Sequence, residues 1–195
     1  MKIDIILAGV GGQGILSIAA AIGTAAINKG LYLKQAEVHG MSQRGGDVHS
    51  DLRISDREIA SDLIPEGKAD MIISVEPMES LRYLPMLAPN GWLITNTTPY
   101  VNIPDYPDPE DILAEVKKVK HHIAIDANKL AIDIGSKRSA NIVILGAAAP
   151  FIGLPYDELE QAIREIFGRK GEEVVNVNLN ALKKGFDFAK NFIKN

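Results

Sequence analysis

The run Ile3-Asp4-Ile5-Ile6-Leu7-Ala8-Gly9-Val10-Gly11-Gly12-Gln13-Gly14-Ile15 decides the fold. Ile3 to Ala8 is an almost unbroken apolar stretch with the length of a buried strand. Glycines then stand at positions 9, 11, 12 and 14, which suits a tight turn and neither a helix nor a strand. Beyond them Ile15, Ile18, Ala19, Ile22 and Ala26 recur at helical spacing as far as Asn28, and Gly30 stops that helix. Leu31 to Val38 reads as a second strand. Strand, glycine turn, helix and strand in this order predict a right-handed crossover between two parallel strands.

The same reading extends outward. Asp47 to Ile54 alternates in polarity like a strand with one wet or interface-facing side, and Met71 to Val75 reads as a strand buried on both faces. A short helix over Met78 to Leu87 follows, then a fifth strand from Gly91 to Thr95, its turn marked by Pro89-Asn90-Gly91. Thr97 to Pro109 carries four prolines and reads as an ordered loop or lid. Next come a helix over Glu110 to Val119, a strand over His122 to Ile125, and helices over Ala127 to Ile134 and Asn141 to Ala149. The last of these is apolar on every side, so other elements or another subunit must cover it, which leaves a homo-oligomer open. Two amphipathic helices end the chain: Tyr156 to Phe167, and one whose apolar positions are Val175, Leu179, Leu182, Phe186, Ala189 and Ile193. This alternation predicts a single α/β domain over residues 1–195, an open, mostly parallel, Rossmann-like sheet with helices on both faces.

Composition narrows the function. With 195 residues and a formal net charge of −4, the chain lacks the basic excess that nucleic acids or anionic membranes select, so any anion site must be local. It has no cysteine, hence no disulfide framework, no thiol nucleophile and no thiolates for an iron–sulfur cluster. No apolar stretch reaches membrane-spanning length, and the first run lacks a signal peptide's cleavage site; a cytoplasmic location is expected.

Gly9-Val10-Gly11-Gly12-Gln13-Gly14 fits the G-x-G-x-x-G pattern between a strand and a helix, where unpaired N–H groups and the helix dipole attract an anion. One reading is a nicotinamide or flavin dinucleotide site with Glu37 as the ribose-binding acid. A plainer reading is that the glycines only let the helix pack closely on the sheet. The segment Glu37-Val38-His39-Gly40-Met41-Ser42-Gln43-Arg44-Gly45-Gly46-Asp47-Val48-His49-Ser50-Asp51-Leu52-Arg53 is more polar than a bare turn needs. Ser42, Gln43, Arg44 and the N–H groups of Gly45 and Gly46 could together hold a phosphate or carboxylate, or form a solvated loop. His39 and His49 have no compact spacing that would gather three metal ligands. No nucleophile elbow, Walker lysine or Tyr-x-x-x-Lys pair is present, so no catalytic residue is assigned.

Taken jointly, Gly9 to Gly14 and Glu37 to Gly46 resemble the gamma-type chain of 2-oxoacid:ferredoxin oxidoreductases. The His-Gly-Met-Ser-Gln-Arg-Gly-Gly form is similar to the indolepyruvate branch, where this chain is the beta subunit. Ile64 to Asp70, Glu76-Pro77-Met78-Glu79-Ser80-Leu81-Arg82, Asn141 to Ala147 and Asn178 to Gly185 extend the resemblance over nearly the whole chain. The resemblance implies a complex that oxidatively decarboxylates an aryl 2-oxoacid to an acyl-coenzyme A and carbon dioxide while reducing ferredoxin. It implies thiamine diphosphate and iron–sulfur clusters on a large alpha subunit, coenzyme A as substrate, and no cofactor bound wholly by this chain. It also implies a cofactor-facing role beside the partner's thiamine site for Gly9, Gly11, Gly12, Gln13, Gly14, Ser42, Gln43, Arg44, Gly45 and Gly46. The alternatives are a stand-alone NAD(P)-dependent oxidoreductase and a nucleotide-binding module.

Overall fold

The computed structural model describes residues 1–40 and 45–194. Six strands form one sheet: β1 (Lys2–Val10), β2 (Tyr32–His39), β3 (Asp47–Ser55), β4 (Ala69–Ser74), β5 (Leu87–Asn96) and β6 (His122–Ile125). The helices are α1 (Ile15–Asn28), α2 (Pro77–Arg82), α3 (Pro109–Lys118), α4 (Ala127–Asp133), α5 (Ala140–Ile152), α6 (Tyr156–Phe167) and α7 (Glu172–Lys194).

Side chains alternate across the sheet and divide the core in two. Ile5, Leu7, Met71, Ile73, Ile94 and Ile123 join a large cluster with α1, α5, α6 and α7. Ile6, Ile72 and Leu93 face the other way and pack with Val116 of α3 and with Leu81 and Leu84. Helices therefore cover both faces, as the strand–helix alternation predicts. The helix expected over Met78 to Leu87 is shorter: α2 ends at Arg82, and a 3-10 turn covers Leu84–Met86. Pro85 stands inside that stretch, where it has no N–H to continue an α-helix.

The strand order is β2-β3-β1-β4-β5-β6, and β1, β4, β5 and β6 are parallel neighbours. The expected crossover joins two strands that are not neighbours. β1 and β2 do run in the same direction, but β3 lies between them and pairs antiparallel with both. β2 is consequently an edge strand and is mostly exposed. The polar side of β3 is not wet either. Arg53 donates to Asp4 of β1 from Nε at 2.8 Å and from another guanidinium nitrogen at 3.1 Å, and Lys2 adds a 2.9 Å ion pair to the same carboxylate. Asp51 accepts from the N–H of Ile64. Insertion between two strands pairs both edges of β3 and sets its side chains beside those of β1, and the buried polar residues among them have partners.

α5 is apolar on every side because its own chain surrounds it, chiefly α7 together with α1, α4 and the sheet. A second subunit is not required to cover it, and the sequence argument for a homo-oligomer loses its basis.

Candidate functional site

At the carboxyl ends of the parallel strands the chain turns from β1 into α1. Gly14 sits at the helix N-cap with φ of 82°, a conformation that favours glycine, and a Cβ there would lie 2.6 Å from Asn141 Nδ2. That same Asn141 amide donates to the Gly14 carbonyl at 3.0 Å, tying the turn to α5. The Gln13 side chain folds back, its Oε1 accepting from the Val10 N–H at 2.8 Å. Gly9 is a packing residue, since a Cβ would meet Val75 at 2.4 Å, whereas Gly12 faces open space. Gly9 and Gly14 thus serve packing, as the plainer reading of the glycines has it, while a side chain at Gly12 would meet no neighbour.

The second glycine turn lies against the first. Gly11 N–H donates to Gly46 O at 2.8 Å, and Gly45 N–H donates to Gly11 O at 3.3 Å. Gly9, Gly11, Gly12, Gln13, Gly14, Gly45 and Gly46 are accordingly brought together. Ser42, Gln43 and Arg44 lie outside the described residues. Glu37, the acid of the dinucleotide reading, is exposed on β2, two strands away from β1 or roughly 10 Å at sheet spacing. Ribose recognition in a dinucleotide fold needs that acid on the strand next to the glycine turn, so the geometry disfavours this reading.

Beside Gly12, Gln13 and Gly14 opens a cleft of about 970 Å³, walled by Asn141 and Ile144 of α5 and by Val174, Val177 and Asn178 of α7. Tyr100, in the proline-rich loop after β5, stands at its edge. Among the described residues, Lys137, Arg138 and Lys170 line it against one carboxylate, Glu173. Two helix N-termini, those of α1 and α5, open on this space, and neither has an acidic residue in its first turn. A chain of net charge −4 therefore concentrates cations and N–H groups in one place, the arrangement that binds phosphate or carboxylate groups. The sequence contained a cue for this feature. Lys137 and Arg138 immediately precede α5, a location the helix dipole makes unfavourable for cations unless an anion balances them.

On the opposite face of the sheet, beneath the second glycine turn, the Tyr83 hydroxyl donates to Asp47 Oδ2 at 2.8 Å and lies 2.8 Å from His49 Nδ1. Burial and the Asp47 carboxylate hold the Tyr83 phenol far above its ordinary range, so it remains a donor. Glu79, 2% exposed, accepts from Arg82 Nε at 2.7 Å. Burial raises the Glu79 carboxyl and the neighbouring Asp47 adds to that, against the pull of Arg82. His39 takes no part, as its Nδ1 faces the carbonyl of Gly40.

Fold and cleft define an α/β chain with an anion-receptive carboxyl edge. Comparison with known proteins narrows the class further. Residues 4–188 match the family of pyruvate ferredoxin/flavodoxin oxidoreductases. The indolepyruvate oxidoreductase subunit IorB of Archaeoglobus fulgidus is 38% identical over 97% of this chain and 96% of its own. The IorB subunit of Pyrococcus horikoshii is 37% identical over 97% of each. The gamma subunit of a keto/oxoacid ferredoxin oxidoreductase from Geobacter sulfurreducens superposes with a TM-score of 0.74 at 25% identity, over 97% of this chain and 99% of that one. A 2-oxoglutarate:ferredoxin oxidoreductase from Magnetococcus marinus, with 2-oxoglutarate, coenzyme A and succinyl-CoA bound, shares the fold at a TM-score of 0.77 and 24% identity; this chain covers 31% of that one. The chain belongs to the pyruvate ferredoxin/flavodoxin oxidoreductase family, and it is a subunit of a 2-oxoacid:ferredoxin oxidoreductase. Among the described residues, no helix is long and apolar enough to cross a membrane.

Proposed function

We propose that this subunit serves an indolepyruvate-type enzyme, one that converts an aryl 2-oxoacid and coenzyme A to an acyl-coenzyme A and carbon dioxide with reduction of ferredoxin. The observation that carries the reading is the cleft beside Gly12, whose three cations and two helix N-termini suit the phosphate-bearing end of coenzyme A. Similarity to IorB chains of 37–38% identity over nearly full length supports the aryl 2-oxoacid. A cytoplasmic setting accords with a chain of this family.

Redox groups belong to a partner in this reading. A chain without cysteine has no thiolates to ligate iron–sulfur clusters, and a large alpha subunit would carry them together with thiamine diphosphate. Bound there, thiamine diphosphate supplies the carbanion stabilisation that decarboxylation needs. The part of this chain is to bind and orient. Arg138 and Lys137 hold phosphate oxygens at the start of α5, Lys170 closes the cleft from the side of α7, and the first N–H groups of α1, beyond Gln13, donate to a further oxygen. Gly45 and Gly46 form the edge that faces the partner and keeps water from the reacting groups, and Ser42, Gln43 and Arg44, next to them in sequence, share the cofactor-facing role by composition alone.

Steady-state kinetics of the reconstituted complex tests this. The subunit alone turns over nothing, and R138A raises the KM for coenzyme A by about 10-fold to 100-fold, the loss of one charge-assisted bond, while kcat stays near wild type. An R138A/K137A complex with a wild-type KM for coenzyme A would remove the cleft from the reading.

A further inference from the structure

The motif Glu76-Pro77-Met78-Glu79-Ser80-Leu81-Arg82 has no member in the cleft wall, yet it carries two of the most deeply buried carboxylates in the described chain, at 0% and 2% exposure. Glu76 is the N-cap of α2, where Oε2 accepts from the Glu79 N–H at 2.8 Å. That bond accounts for one of its oxygens. Oε1 accepts from the proline-rich loop twice, from the Tyr100 N–H at 3.2 Å and from the Tyr106 hydroxyl. The loop's other end of purchase is the second glycine turn, where Asn102 Nδ2 donates to Gly45 O at 2.6 Å.

Tyr100 is the residue of this loop that reaches the cleft, and it is 42% exposed there. Pro99, Pro104 and Pro107 have no N–H to anchor their stretch, so side-chain and capping bonds must set the loop's course. Burial and the Glu76 carboxylate keep the Tyr106 phenol well above its ordinary range, so it stays a donor.

We propose that Glu76 is a positioning residue for coenzyme A binding: it fixes Tyr100 at the mouth of the cleft by fastening the proline-rich loop at two points. The inference rests on the reading of the cleft given above. When the fastening is lost the loop samples other courses, and apparent affinity falls by the fraction of time Tyr100 is in place.

The test uses the reconstituted complex with Y106F, which deletes one hydroxyl and keeps the ring, alongside E76A and E76Q. Y106F is expected to raise the KM for coenzyme A about tenfold at unchanged kcat. Amide hydrogen exchange of residues 99–106 quickens while the remainder of the chain exchanges as before. E76Q, which keeps an acceptor oxygen, recovers part of the affinity that E76A loses. A Y106F complex with wild-type KM, or one whose only change is a lower melting temperature, overturns the proposal. If R138A also leaves KM unaltered, the cleft reading falls and takes this inference with it; if R138A raises KM and Y106F does not, only the inference falls.

Discussion

Helices α5 and α7 cross backbone to backbone at Gly146 and Gly185, and this crossing makes a strong prediction. A Cβ on Gly185 would lie 1.9 Å from the carbonyl oxygen of Val143 and 2.7 Å from the nitrogen of Ala147; one on Gly146 would lie 2.0 Å from the carbonyl oxygen of Leu182. The obstacle in each case is main chain, which no rotamer change can move. Opening the 1.9 Å approach to an ordinary 3.4 Å needs about 1.5 Å of separation. A gap of only 0.5–1 Å already forfeits about a quarter to a half of each dispersion contact along a packed face. Overpacking against yielding side chains costs about 1–3 kcal/mol, so G185A belongs above that range, at about 3–5 kcal/mol. In a chain of this size that corresponds to a melting temperature lower by roughly 10 °C.

Urea denaturation followed by circular dichroism measures the loss, and Trp92 locates it. This single tryptophan stacks on Phe151 of α5 at 3.9 Å between ring centroids, so displacement of α5 changes its emission before unfolding begins. The double variant G146A/G185A discriminates further. Once the first Cβ has forced the helices apart, the second enters a gap already made, so the double loss is smaller than the two single losses together. Single variants within 0.5 kcal/mol of wild type, or strictly additive losses, would refute the backbone-contact argument.

Two pH-dependent predictions accompany it. Burial raises the Asp4 carboxyl, but the bonds and charges of Arg53 and Lys2 outweigh it and leave the group below its ordinary 3.8. The stabilisation is therefore present above that value and lost as pH falls through the lower folded one, so D4N costs about 3–5 kcal/mol at pH 7 and progressively less below pH 3.8 in urea melts. The Glu79 carboxyl has the opposite sign: burial first, with Asp47, raises it above 4.5, so its contribution is full below 4.5 and declines as pH rises through the folded value. E79Q should gain on wild type between pH 4.5 and 7, and parallel stability curves would contradict the raised value.

Much of this architecture was legible because it is written in local periodicity. α1 and α6 have the boundaries that apolar spacing predicts, as does β6. What stayed hidden depends on contacts between residues far apart in sequence. Nothing local in β3 tells that Arg53 meets Asp4, 49 residues earlier, or that His49 meets Tyr83, 34 residues later, so a paired and buried side looked wet. Likewise the cleft needs Lys137 and Arg138 beside Gly12, an approach that the tie from Asn141 to Gly14 across 127 residues secures. The glycine motifs, being contiguous, could be found directly, although which glycine packs and which leaves space could not.

The strand order that the sequence did not reveal is also what assembles the site. With β1 and β2 adjacent, as an ordinary crossover would have them, the segment leaving β2 would have to reach β3 farther out, and Gly46 would stand a strand or more from Gly11. Instead β3 returns antiparallel between them, in a register that pairs Val10 with Asp47 and His39 with Val48. Both ends of the loop from β2 to β3 are thus set at the carboxyl end of β1, and the two glycine turns exchange backbone hydrogen bonds. The displaced β2 gives up any chance of setting Glu37 against the first turn, so one rearrangement removes a dinucleotide site and creates a double turn. Asp47, the first residue of β3, is gripped from below by Tyr83, which anchors the second turn to α2 as Glu76 anchors the proline-rich loop. A short helix on one face of the sheet thereby fixes both the glycine turn packed on Gly11 and the loop that brings Tyr100 to the cleft on the other.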